Sequence, residues 1–258
     1  MTNTSTRLGT FRRRLAARER IVGTFQKTPH ATVTELLGMA GLDCVCIDAE
    51  HAPFDRAAID VCVLSARGAD LPSLVRVPSP EASHILNALD LGATGVLVPH
   101  VASADAAREI VRASRYGKNG RGYSGSTRAA GYSTRTMPQV VATANESVAV
   151  ILQIEDEPAV ERIEEIAAVD GVDALFVGRM DLTVSIGASS PDDPRVLDAV
   201  RRICTAAQRH GRCVGMFTPT TAEALRWRAD GVSFFLLGSD QQWVLNGARD
   251  LANSFNGA

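Results

Sequence analysis

Eight short apolar runs recur along the chain, at residues 21–25, 43–48, 73–77, 94–98, 148–155, 174–178, 213–217 and 232–238. They are near-continuously apolar rather than alternating, which is the pattern of strands covered on both faces. Apolar residues at helical spacing fill stretches between them, at 57–66, 81–91, 104–114, 158–169, 194–210 and 221–229. Eightfold strand–helix alternation predicts an α/β fold, a (β/α)8 TIM barrel. An open doubly wound sheet competes, but no GxGxxG follows the first run. Leu8, Phe11 and Leu15 predict a helix ahead of the first strand, although an Arg-rich start also imitates a transit peptide. Trp243, Leu251 and Phe255 predict a terminal helix that docks on its own barrel or on another protomer. Residues 1–258 are expected to form one domain.

Composition narrows the function classes. A net charge of −2 gives no reason to expect a nucleic-acid or anionic-membrane partner. Five cysteines without CxxC spacing suit a reducing cytoplasm, and no apolar run is long enough to cross a bilayer.

Barrel enzymes place their chemistry at the C-terminal ends of strands, and polar residues fall there repeatedly. The second run ends in Asp48, followed by Glu50 and His51. Arg76 lies in the third, Gln153 and Glu155 close the fifth, and the sixth runs on to Asp181. Strand parity puts Gln153 and Glu155 on one face and Leu152 and Ile154 on the other, and it sets Arg76 against Val75 and Val77. Cys44 and Cys46 share the parity of Asp48 and are expected to fill the barrel interior.

Buried charges need a shared explanation. A divalent cation on Glu155 and Asp181 is one, since Mg²⁺ and Mn²⁺ prefer oxygen ligands. A structural Glu155–Arg76 ion pair, with Asp181 capping the next helix, is the other. His51 lies three residues after Asp48 and suits a general base. Asp90 stands near a helix C-terminus, against the macrodipole. A Schiff-base route would need a lysine, and of Lys27 and Lys118 only Lys27 is placed for it, so a metal route is better supported. The Gly-, Ser- and Arg-rich segment 117–135 either presents Arg121 and Arg128 to an anion or a neighbouring subunit, or is a mobile surface loop.

The stretches IDAEHAPFD, LVRVPSPEASHILNALDLGATGVLVPHV, GRGYSG, ILQIEDEPAVERIEEIAAVDGVDALFVGRMDL and LGSD, in this order, resemble the HpcH/HpaI aldolase family. The resemblance implies a phosphoenolpyruvate/pyruvate-type barrel and a class II aldolase that cleaves 4-hydroxy-2-oxo acids to pyruvate and an aldehyde. It implies that Glu155 and Asp181 bind Mg²⁺, Mn²⁺ or Co²⁺, that Arg76 touches the keto oxygen and that Gln153 holds the pyruvoyl unit. His51, oriented by Asp48, would be the base, and Asp90 would reach a neighbouring subunit's site. A homohexamer, a trimer of dimers with an exchanged C-terminal helix, is implied as well. Met216 and Phe217 are expected on the aldehyde side. Oxaloacetate decarboxylation, citrate-type condensation and non-catalytic keto-acid binding are the alternatives. The chain departs from the family at Gly178-Arg179-Met180-Asp181, where Gly-Pro-Ala-Asp is usual, and at Ser126-Thr127-Arg128-Ala129.

Overall fold

All eight apolar runs become strands: β1 Ile21–Gln26, β2 Cys44–Asp48, β3 Ser73–Arg76, β4 Gly95–Val98, β5 Ala149–Ile154, β6 Ala174–Val177, β7 Cys213–Thr218 and β8 Phe234–Ser239. In the computed structural model they pair in parallel and in sequence order, and β8 returns to β1 to close the barrel. The structure describes residues 6–256, so positions 1–5 and 257–258 of the expected 1–258 domain lie outside the described residues.

The helices are α1 Arg7–Ala16, α2 Ala31–Met39, α3 Arg56–Gly68, α4 Ala82–Asp90, α5 Ala104–Ser114 and α6 Met137–Ser147, then α7 Glu157–Glu161, α8 Ile163–Ala167, α9 Arg179–Ser185, α10 Pro194–Arg209, α11 Thr221–Arg228 and α12 Asp240–Asn256. The single helix expected over 158–169 is two short ones. They are separated at Arg162 (φ −105°, ψ 16°), a local turn that keeps both Val160 and Ile163 against the core.

Strand parity sorts the core into two layers. Inward residues form one cluster that includes Cys44, Cys46, Leu74, Ile151, Phe176 and Phe234. Outward residues, among them Val75, Val77, Leu152 and Ile154, pack beneath the helices in another. α1 closes one end of the barrel, where the Phe11 and Phe234 rings meet edge-on at 6.4 Å. Full burial of such side chains stabilises the fold by roughly 1.5–3 kcal/mol each.

Toward the C-terminal ends of the strands the inward positions change from apolar to polar. Register pairs Asp48 of β2 directly with Arg76 of β3, and Gln153 follows Ile151 on β5. Among the described residues no helix is long and apolar enough to cross a membrane.

Candidate active site

A cavity of about 630 Å³ opens at this polar end. Its floor is aromatic: Phe25 meets Phe176 edge-on at 6.4 Å and Phe217 at 5.9 Å, and the Arg76 guanidinium lies 4.5 Å above the Phe25 ring. Arg76 clasps Asp48 in a fork, Nε to Oδ1 at 2.9 Å and Nη2 to Oδ2 at 2.8 Å. Such bidentate pairing is strong and fixes the plane of the guanidinium. Burial opposes the charge on Asp48. Arg76, the His51 amide and Lys27 outweigh it and hold its carboxyl below the ordinary carboxylate range. Lys27 Nζ stands 3.5 Å from Asp48 Oδ2.

The expected orientation of the His51 imidazole by Asp48 is corrected by this geometry. Asp48 gives both oxygens to Arg76 and accepts only the main-chain N–H of His51, at 3.1 Å. Among the described residues the one carboxylate within ion-pair reach of the imidazole is Glu50, whose Oε2 is 3.7 Å from Nε2. The side chain of His51 is 55% exposed at the cavity rim, open to substrate.

Glu155 follows the last residue of β5 and is 1% exposed. Its Oε1 accepts the His100 main-chain N–H at 2.8 Å, and Gln153 Nε2 donates to Oε2. A Cβ on Gly178 would lie 2.6 Å from Glu155 Oε2, so glycine there leaves the room this carboxylate occupies. The alternative to a metal, a structural Glu155–Arg76 ion pair, does not form, because Arg76 is taken by Asp48 and Glu50.

Ligand atoms of Glu50, His100 and Glu155 instead lie within 4.8 Å of one another. His100 Nδ1 is 3.4 Å from Glu155 Oε1, and its Nε2 is 3.7 Å from Glu50 Oε1. These two distances use different ring nitrogens of His100, of which one can bind a given ion; donors that share a small cation at ~2.1 Å stand at most ~4.2 Å apart, so small side-chain shifts would gather the three groups around one. Burial, reinforced by Glu155, pushes the Glu50 carboxyl up against the pull of Arg76 and His51. Burial works against the charged form of His100, but Glu155, Asp156 and Glu50 carry its pKa above the ordinary histidine value. Glu50 Oε2 and Gln153 Oε1 are buried without a hydrogen-bond partner. Two crowded carboxylates and the unpartnered Gln153 oxygen suit a cation, whereas Glu50 Oε2 already faces Arg76 Nε at 3.3 Å.

The family described as HpcH/HpaI aldolase/citrate lyase matches residues 21–247. The chain belongs to this family. It is 35% identical over 247 residues to the 5-keto-4-deoxy-D-glucarate aldolase of Klebsiella pneumoniae, covering 95% of this chain and 96% of that one. A crystal structure of a family member from Burkholderia cenocepacia superposes with TM-score 0.91 at 34% identity, covering 96% and 99% of the two chains. A crystal structure of a citrate synthase is also similar, with TM-score 0.85 at 29% identity and coverage of 95% and 97%. The protein is therefore a carbon–carbon lyase on a (β/α)8 barrel, an aldolase whose family implies a divalent metal.

Not every expected site residue meets at the mouth. Asp181 lies exposed at the cavity rim in the first turn of α9, outside the Glu50–His100–Glu155 group. Gln153, Arg76 and Phe217 line the cavity, but Met216 does not. One step of parity turns Met216 outward, where it is fully buried under the helices. Asp90 lies at the opposite end of the barrel with its Oδ1 2.6 Å from Arg121 Nη2, and this partner accounts for an acid at the C-terminus of α4. Arg179 does not crowd Asp181. Its guanidinium pairs with Glu223 on α11 and lies 5.7 Å from the Trp227 ring centroid. Sequence reasoning passed over His100, although it stands just beyond the C-terminal end of β4. Its φ of +55° is unusual for a residue with a side chain and turns its N–H onto Glu155.

Proposed function

We propose that the enzyme cleaves 4-hydroxy-2-oxo acids to pyruvate and an aldehyde. A divalent cation, Mg²⁺, Mn²⁺ or Co²⁺, would be held by Glu155 with Asp181, Glu50 and His100 as further candidate ligands. The observation that carries this is the buried, hydrogen-bonded Glu155 facing Glu50 and His100 on the mouth that also holds Arg76.

A bound cation supplies Lewis-acid polarisation of the 2-keto group. The rest is work for the chain's own residues. Arg76, locked by Asp48 over Phe25, keeps Nη1 without a protein partner among the described residues, free for the keto oxygen as negative charge develops there. Gln153 fixes the pyruvoyl end. His51, exposed at the cavity rim, takes the proton of the C4 hydroxyl as the C3–C4 bond breaks. Phe217 lines the aldehyde side. A sugar-diacid substrate is consistent with the aldolases named above.

Four further features belong to the proposal. The chain acts as one domain. It assembles through α12 into a homohexamer, with Asp90 serving a neighbouring copy. Its five free, buried thiols suit the cytoplasm. Citrate-type condensation is the second reading, favoured by the likeness to a citrate synthase.

Pyruvate release from a panel of 4-hydroxy-2-oxo diacids and oxaloacetate, with each metal and then with chelator, tests the proposal. Cleavage should stop on chelation and in Glu155→Ala. Full activity in either case overturns the metal assignment.

A further inference from the structure

At the end of the barrel away from Arg76, four arginines line a second cavity of about 210 Å³. It is bounded by the C-terminal ends of α3 and α4, the segment 117–136 and α6, beside the approaches to β4 and β5. Two of the four have carboxylate partners. Arg121 Nη2 is 2.6 Å from Asp90, and Arg128 Nη1 is 2.5 Å from Asp60 and also donates to the Leu91 carbonyl at 2.9 Å.

The other two have none among the described residues. Arg67 Nη1 reaches only the Gly92 carbonyl, at 3.4 Å, and Arg135 donates to the Ala129 carbonyl. Arg121 is 5% exposed, stacks over the Tyr116 ring at 4.7 Å and keeps its Nε buried without an acceptor. Burial, then the charges of Arg128 and Arg135, pushes the Arg67 guanidinium below its ordinary value. Capping of helix carbonyls explains Arg128, but it leaves Arg67, Arg135 and the buried Nε of Arg121 unexplained.

We propose that this cavity binds a small oxyanion with two negative charges, a phosphate ester or a dicarboxylate, held chiefly by Arg67 and Arg135 with Arg121 as a third donor. Two unpaired guanidinium groups match the charge of such an anion, and their planar forks match its oxygens. The cavity is too small for a drug-sized ligand but ample for phosphate or a three- to four-carbon diacid. The cavity shares no lining residue with the aldolase mouth of its own chain, and it meets the catalytic proposal only through Arg121, whose partner Asp90 is proposed to serve a neighbouring copy.

Calorimetric titration of the full chain with inorganic phosphate and, separately, with malonate tests it, the two arms distinguishing phosphate from carboxylate ligands. Saturable binding of at least one anion is expected, about tenfold weaker in Arg67→Gln or Arg135→Gln and lost in the double variant. The double variant should melt no lower than wild type in anion-free buffer, because it loses like-charge repulsion. On the unaltered protein, the same anion should slow phenylglyoxal modification of Arg67 and Arg135. Undiminished binding in the double variant, protection confined to arginines of the aldolase mouth, or no saturable binding of either anion overturns the proposal.

Discussion

Asp48 carries no exposed surface, and its two oxygens are committed to Arg76. Removing one partner of such a buried pair strands the other charge, at about 3–5 kcal/mol. Glu50 Oε2 remains 3.3 Å from Arg76 Nε, so Asp48→Asn should fall near the lower end, about 3 kcal/mol by urea denaturation. The pH dependence has a definite sign. The folded pKa of Asp48 lies below the unfolded value of about 3.9, so its contribution is complete above that pH and fades as pH falls through the folded value. The stability gap between wild type and Asp48→Asn should therefore narrow as pH falls below about 4.

Gly178→Ala tests the neighbouring carboxylate. The new Cβ, placed 2.6 Å from Glu155 Oε2 and 2.7 Å from Glu155 Cβ, must displace the side chain. Divalent-cation affinity measured by calorimetry should drop roughly 10–100-fold while the circular dichroism stays barrel-like. Unchanged affinity would remove Glu155 from the ligand set. At this scale the sequence showed which strand ends carry charge, through parity alone. It did not show that Asp48 would take Arg76 rather than the His51 imidazole, because that choice is made by the register between β2 and β3.

Among elements, the strands were legible almost residue for residue, since a strand buried on both faces leaves a continuous apolar run. Helices that lean on one another were less so: α2 buries only Thr34 and Leu37, too thin a stripe to announce itself. The inward face of β2 carries a testable consequence. Cys44 and Cys46 sit in the barrel interior, where burial pushes both thiols up, and Cys62, Cys204 and Cys213 are buried as well. Burial raises Cys204 to about 12 and Cys213 to about 11. Thiolate is the reactive form, so a thiol reagent at neutral pH should label none of the five until denaturant is added. Rapid labelling of native protein would contradict the interior assignment.

Across the whole molecule, α12 is the element that its own barrel covers least. Asp240 anchors its start by accepting the Lys27 and Thr28 N–H groups at 2.7 and 2.9 Å. Beyond it Val244, Leu251 and Phe255 are 74%, 73% and 83% exposed. An apolar face of this kind seeks cover, and Leu36 and Met39 on α2 are similarly bare. Leu251→Asp with Phe255→Asp should lower the assembly mass in light scattering without loss of helical signal. An unchanged mass would separate α12 from assembly.

By itself, the sequence determined the eightfold alternation, the inward and outward faces of each strand and the polar mouth, because all three follow from one-dimensional periodicity and the cost of burying charge. Only the closed barrel decided which polar residues meet. It joined Asp48 to Arg76, brought His100 from the end of β4 over Glu155 and sent Asp90 to the far end with Arg121. Those outcomes depend on register, strand tilt and the path of the loops. These are set by contacts between segments far apart in the chain, and no local spacing encodes them.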